Sequence, residues 1–505
     1  MEEISSWRIL DMIDITKIDD VYLYISSDDT GDLLQIDEEF KFRVSGYRFM
    51  PAYKSGRWDG FVHLFNIRDR TIPIGLYNNL VEYCDTNNLE YSEDIKDTFK
   101  GPSDFDHSLY PISIKQNIIT LYDYQETAIK FIIENNRGII LSPTGSGKSS
   151  IIYQLIRYWL DSHEDKILLI VPNLSLVNQM KADILDYSAL DDTFNEEDIH
   201  IIKGGTNKDG PGRLYIATWQ SLGKVLKDPS MTIYWNQFKS VLVDEAHLAK
   251  GLTITNIINK LTDCPNKVGL TGTLSADESK TTKLQLQGLF GPIHITTTTR
   301  KLIDSDTVAD MRIESLLLDY PDELKQDCKR LTYQQEIDWI VMNPNRNYFI
   351  SKLASVQKGN TIVLFNFIKQ GEDLFTRISE MAPDRQVYYI SGEVKGDIRE
   401  EIRNAIEGHD DAIIVGNISV IGTGISINKL HSMILAHPTK SRIRTIQAIG
   451  RLLRKHETKD KAIVYDLADD LSWKKHKNYG LNHYQLRVKY YNQEKLDYTV
   501  KRIKI

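Results

Sequence analysis

Residues Ser142-Pro-Thr-Gly-Ser-Gly-Lys-Ser149 put two glycines, a lysine and several hydroxyls into one short loop. Gly145 and Gly147 permit a tight bend and a close backbone approach that a side chain would block. Such a loop, running into a helix, aims successive backbone N–H groups and the positive helix end at one point, which suits a phosphate. Thr144 and Ser146 extend this cradle, Lys148 is placed to reach terminal phosphates, and the Ser149 hydroxyl is placed to hold Mg²⁺. The loop fits the P-loop pattern except at its first position, where serine replaces glycine. Downstream, Phe238-Lys-Ser-Val-Leu-Val-Asp-Glu-Ala-His247 is an apolar run ending in two carboxylates. Asp244 at a strand end suits a metal contact, and Glu245 beside it suits orienting or deprotonating a water molecule. His247 reads equally as a coupling residue or as an ordinary hydrogen-bonded histidine. The chemistry indicated is hydrolysis of a nucleoside triphosphate, ATP with Mg²⁺.

These groups need rigid elements behind them. From about 112 to 300, short apolar strands alternate with amphipathic helices, the pattern of a parallel sheet covered on both faces. After an irregular connector over about 300–345 the alternation resumes through 346–480, and 481–505 reads as a tail. Residues 1–105 read as a small strand-containing domain with a helix over Leu76–Asn87. Its turn-rich segment Gly46–Gly60 interleaves Tyr47, Arg48, Tyr53, Lys54, Arg57 and Trp58, which suits nucleic-acid contacts as well as it suits a packed aromatic turn. The fold class expected is α/β, two parallel-sheet domains in tandem behind a small α+β domain.

With 505 residues, 41% of them hydrophobic and 26% charged, the chain can bury several cores. No stretch approaches the ~20 apolar residues that cross a bilayer, so no membrane partner is expected, and the acidic start lacks the layout of a secretion signal. Three scattered cysteines make neither a disulfide framework nor a zinc site, and a cytoplasmic protein is expected. The net charge of −8 argues against coating a polyanion, but binding follows the local field, and basic clusters remain at 442–455, 474–477 and 501–504.

The order of motifs resembles the superfamily-two helicases, and this resemblance covers about 112–470. Leu121-Tyr-Asp-Tyr-Gln-Glu126 is similar to that family's adenine-reading motif, which gives the role to Gln125. Val171–Gln179 and Ala217-Thr-Trp-Gln-Ser221 resemble motifs Ia and Ib, Asp244–His247 a DEAH-form motif II, and Thr271-Gly-Thr273 motif III. Ile418–Ser426 resembles motif V and Gln447-Ala-Ile-Gly-Arg-Leu-Leu-Arg454 motif VI. On a helix, Gln447, Arg451 and Arg454 share one face. The resemblance implies RecA-like domains, ATP hydrolysis with Arg451 or Arg454 as an arginine finger, and Gly424 toward the nucleotide. It also implies a strand gripped by its phosphates. Thr218, Thr423 and the N–H groups near Gly204, Gly205 and Gly422 are the expected grips, with Arg48, Arg57 and Trp58 on duplex or junction. Trp219 reads more readily as core packing than as a base-stacking group.

The short tail and the lack of a His-Arg-x-Gly-Arg motif separate the chain from RNA-helicase branches. Gly46–Gly60, Ser391-Gly-Glu-Val-Lys395 and Gly450–His456 resemble the UvsW family of T-even-like phages. That implies a DNA helicase in recombination, repair and replication. Its substrates would be Holliday junctions, stalled forks and R-loops, with RNA–DNA hybrids as a further partner. It would act as a monomer in the host-cell cytoplasm if phage-encoded. Alternatives are a duplex translocase without strand separation, an RNA helicase, and an ATP-gated binding or annealing protein.

Overall fold

The computed structural model describes residues 12–505 apart from 45, 96–98, 103–104, 115–116, 192, 229–230, 232, 273, 275–279, 393–407, 421–428, 439–449 and 451–460. Two compact units emerge, one holding the chain to Ser142 with Gly147–Thr296, the other Thr297–Ile505 with Pro143–Ser146.

The first unit begins with a mixed sheet in the order β5-β2-β1-β6, made of β1 (Ile13–Lys17), β2 (Tyr22–Ser26), β5 (Thr71–Pro73) and β6 (Tyr91–Glu93). Between β2 and β5 a hairpin of β3 (Lys41–Arg43) and β4 (Phe61–His63) projects the basic-aromatic segment. A second hairpin, β7 (Ile112–Ile114) with β8 (Asn117–Ile119), leads into the main sheet. That sheet is wholly parallel among the described residues, in the order β11-β12-β10-β13-β14-β9-β15. Its strands are β9 (Arg137–Leu141), β10 (Lys166–Val171), β11 (Ile199–Ile202), β12 (Leu214–Thr218), β13 (Phe238–Asp244), β14 (Asn266–Thr271) and β15 (Ile293–Ile295). The apolar runs Ile167–Val171 and Val241–Val243 are buried on both faces, as a helix-covered parallel sheet requires.

The small domain is fused to this sheet. Leu284, from the helix Lys280–Phe290, belongs to the small domain's own core. Arg137 donates Nη2–H to the Asp20 carbonyl at 3.0 Å, and the Asp20 N–H donates to the Thr262 carbonyl at 2.9 Å. A Cβ at Gly75 would collide with the Gln287 and Gly288 carbonyls, so the two backbones meet with no room for a side chain. Removing residues 1–105 would therefore strip part of the main sheet's packing along with the small domain.

The second unit holds another wholly parallel sheet among the described residues, ordered β18-β19-β17-β20-β21-β16-β22. Its strands are β16 (Asp310–Asp319), β17 (Asn360–Phe365), β18 (Val387–Ile390), β19 (Ile413–Asn417), β20 (Leu430–Leu435), β21 (Lys461–Asp470) and β22 (Tyr498–Lys504). Two expectations are corrected here. The stretch 300–345 is no irregular connector, since β16 lies within it and pairs with β21 over ten residues. The stretch 481–505 is no free tail, because the helix Tyr479–Gln493 returns the chain to form β22 beside β16. Arg487 on that helix is buried against Asp466 at 2.8 Å, and the Tyr491 hydroxyl donates to the same carboxylate at 2.9 Å. Lys501 pairs with Glu314 and Arg502 with Asp319 and Asp470, so much of this basic cluster is consumed by the sheet.

Arg346 and Asp469 form a fully buried ion pair at 2.7 Å, and Arg346 also donates to the Ala436 carbonyl just beyond β20. The Tyr320 hydroxyl donates to the same Asp469 oxygen at 2.8 Å. D469A leaves a buried guanidinium without its countercharge, which costs about 3–5 kcal/mol. Urea denaturation followed by circular dichroism should show that loss. A midpoint within error of the parent would show the pair to be dispensable.

Candidate active site

The phosphate loop leaves β9 at its C-terminal end, where the Ser142 N–H donates to the Thr271 carbonyl of β14 at 2.9 Å. Gly145 and Gly147 have φ of 86° and 76°, the left-handed region in which a side chain is strained. Ser146 is buried and its hydroxyl donates to the Pro143 carbonyl at 2.7 Å, closing the loop on itself. Gly147 then starts the helix Lys148–Ser162. The Lys148 amine donates to the Ser142 carbonyl at 3.1 Å, which holds it over the loop. Thr144 is half-buried on the loop. Lys148 and Ser149 follow on the first turn of the helix, as a phosphate cradle requires.

Gln125 is buried on the neighbouring helix Asp123–Asn135. Its Oε1 accepts the Tyr122 N–H at 2.9 Å, and its Nε2 donates to the Gly147 carbonyl at 3.4 Å. One side chain thereby caps its own helix and touches the phosphate loop. The Tyr122 and Tyr124 rings stack beside it, 5.4 Å between centroids.

Asp244 closes β13, two strands across from β9 with β14 between them. Burial, and then the adjacent Glu245 charge, push the Asp244 carboxyl up to about 7, while Lys148 and His247 pull the other way. Glu245 has φ 55°, an uncommon conformation for a non-glycine residue and one that stores about 1–3 kcal/mol of strain. Its N–H donates to Asp244 Oδ1 at 3.0 Å. His247, 7% exposed, has Nδ1 3.2 Å from the Glu245 carboxylate and 3.1 Å from Thr271 Oγ1. The Thr271 carbonyl in turn receives the Ser142 N–H, so the strand end that His247 bonds is also the one that anchors the phosphate loop. His247 is thus a buried, hydrogen-bonded histidine, which both of its readings share.

Three family models match the chain. They are the N-terminal domain of DNA helicase UvsW over residues 13–94, the res subunit of type III restriction enzymes over 118–276, and the helicase conserved C-terminal domain over 345–456. The ATP-dependent DNA helicase uvsW of Enterobacteria phage T4 is 35% identical over 495 residues, covering 93% of this chain and 95% of that one. The chain belongs to the UvsW family of ATP-dependent DNA helicases. The crystal structure of T4 UvsW aligns over 98% of this chain and 99% of that one, with 33% identity and a TM-score of 0.51. A type ISP restriction-modification enzyme, LlaBIII, shares the fold alone. It is 16% identical, with a TM-score of 0.55, over 85% of this chain and 34% of that one. As a UvsW-family member the chain is an ATP hydrolase that works on DNA, and among the described residues no helix is long and apolar enough to cross a membrane.

Other expected residues fall out as follows. Gly422, Thr423, Gly424, Gln447, Arg451 and Arg454 lie outside the described residues, as does Thr273. Gly204 and Gly205 sit in an exposed turn, with Gly205 at φ 84° and open space where a Cβ would be. Thr218 is 4% exposed, and its hydroxyl accepts the Ser221 N–H at 3.3 Å as the cap of the helix Trp219–Val225. Trp219 packs on the core, as expected. Arg48 and Arg57 are exposed; Trp58 is half-buried and donates its indole N–H to the Phe61 carbonyl at 2.6 Å. Arg43 and Arg48 lie over the Tyr47 ring at 5.0 and 5.6 Å. Phe49, which the sequence did not mark out, is 81% exposed at the tip of this segment. The sequence also passed over Tyr187, whose hydroxyl lies 2.8 Å from Ser149 Oγ. No local pattern announces a residue 38 positions further along the chain.

Proposed function

We propose that this helicase remodels branched DNA — Holliday junctions, stalled forks and R-loops — in recombination, repair and replication. The observation that carries this is the exposed loop between β3 and β4. There Arg48, Lys54 and Arg57 are exposed on the same short loop as the uncovered Phe49 ring, with exposed Arg43 at the end of β3, on a domain fused to the ATP-binding sheet. Cations over phosphates with an aromatic face for an unstacked base suit a branch point better than a plain duplex. The small domain is read as residues 1–105 and the two motor domains as 112–300 and 346–480.

At the ATP site, Lys148 and the N–H groups of Gly145–Ser149 hold the triphosphate, and Gln125 sits at the base. Ser149 and Asp244 would hold Mg²⁺, which when bound neutralises phosphate charge. The donor set fits such an ion: a serine hydroxyl on the loop and two adjacent carboxylates at the end of β13 are the hard oxygen donors that Mg²⁺ takes. Glu245 takes the proton of the attacking water. Arg451 or Arg454 stabilises charge in the transition state, with Gln447 on the same face. Gly204, Gly205, Gly422 and Thr423 grip one strand through its phosphates, and an RNA–DNA hybrid is a further track. The protein acts as a monomer in the host-cell cytoplasm.

The test is ATPase and unwinding on forks, Holliday junctions, R-loops and plain duplex, for the parent protein and for R48A/R57A. Point substitutions replace deletion of the small domain, because deletion would also unpack the main sheet. The double variant should lose junction and fork unwinding at least about tenfold while single-strand-stimulated ATPase stays within twofold, since each lost phosphate contact weakens binding without touching the ATP site. Equal losses on plain duplex and on branches would show that the loop does not select branched DNA.

A further inference from the structure

A serine hydroxyl has one hydrogen and two acceptor lone pairs. When its oxygen faces a cation, the hydrogen must point away and needs its own acceptor. At Ser149 the structure supplies one: the Tyr187 hydroxyl lies 2.8 Å from Ser149 Oγ. Tyr187 ends the helix Leu174–Tyr187 and is itself held firmly. It is 9% exposed, its ring meets Tyr153 edge-on with centroids 5.5 Å apart, and its carbonyl accepts the Ser113 hydroxyl at 3.3 Å. The Tyr187 hydroxyl has two lone pairs of its own and can therefore accept the Ser149 hydrogen.

We propose that Tyr187 is a positioning residue for magnesium, accepting the Ser149 hydroxyl hydrogen at 2.8 Å so that the serine lone pairs face the ion. This rests on the reading of Ser149 as a Mg²⁺ contact. The bond fixes one rotamer of a small, otherwise mobile side chain, so its effect falls on metal binding rather than on nucleotide binding as such.

The experiment titrates Mg²⁺ against the full-length protein with a fluorescent ADP analogue, for the parent, Y187F, S149A and the double variant. Y187F should raise the half-saturating Mg²⁺ concentration about five- to tenfold, the equivalent of one hydrogen bond, with nucleotide affinity in EDTA unchanged. In the S149A background Y187F should add nothing, because its route is gone. If S149A is shifted but Y187F titrates like the parent, or if Y187F costs as much without Ser149 as with it, Tyr187 is not a positioning residue and the Ser149 reading stands. If S149A titrates like the parent, the Ser149 reading itself fails and takes the Tyr187 inference with it. A Y187F protein that binds nucleotide weakly even in EDTA would show a general packing role and also overturn the proposal.

Discussion

Replacing Arg451 or Arg454 with alanine is expected to lower kcat for ATP by about 10³–10⁵ for at least one of the two, with much smaller changes in nucleotide affinity. The size follows from what such a group does. A guanidinium that meets the γ-phosphate as charge spreads over its oxygens stabilises the transition state more than the bound substrate, so its loss appears in kcat. Lysine should rescue poorly, because a point charge on a flexible stem lacks the planar fork that contacts two oxygens at once. The two residues lie outside the described part of the chain, yet β20, which leads toward them, is firmly held. Its trailing Ala436 carbonyl is bonded by the buried Arg346, which is itself paired with Asp469. Single-turnover hydrolysis with saturating ATP separates chemistry from binding. Both variants turning over within tenfold of the parent would remove the arginine finger from this motor.

The second large effect is expected at Glu245. E245Q keeps the shape of the side chain and leaves the backbone that donates to Asp244 in place. It removes the ability to take a proton from water. General-base contributions of this kind amount to about 10²–10⁴ in rate, so kcat should fall by that factor while ATP binding persists. The local backbone favours the comparison: Glu245 already sits at φ 55°, and glutamine meets the same strain, so the variant changes chemistry more than folding. Steady-state ATPase with single-stranded DNA, paired with equilibrium binding of a fluorescent nucleotide, gives both numbers. Hydrolysis persisting near the parental rate would reassign the base.

The structure also changes how the small domain should be probed. Composition and spacing present residues 1–105 as a separable module. Arg137 reaching the Asp20 carbonyl, Leu284 lying in the small domain's core, and the side-chain-free contact at Gly75 make it part of the first unit. Whatever the loop between β3 and β4 grips is thereby mechanically joined to the sheet that carries the phosphate loop.

Where an arrangement depends on neighbours along the chain, the residues alone were enough. Gly145, Gly147, Lys148 and Ser149 lie together because one turn of backbone brings them together, and Asp244 and Glu245 are adjacent at the end of a strand whose apolar run is plain to read. Most strands of both sheets declare themselves in the same way, since burial on two faces demands an unbroken apolar stretch. Folding alone decided what depends on distant partners. The strand β16 opens the second unit, yet its neighbours β21 and β22 arrive over a hundred residues later, so no local strand–helix–strand rhythm marks it. The Thr218 hydroxyl is drawn into capping the helix that follows it, a burial that residue order alone does not show. Tyr187 has no signature at all, because only the packing of one helix beside another sets its phenol against Ser149. Chain-local chemistry can be read directly from residue order; a hydrogen bond between remote segments exists only once the core has fixed their separation.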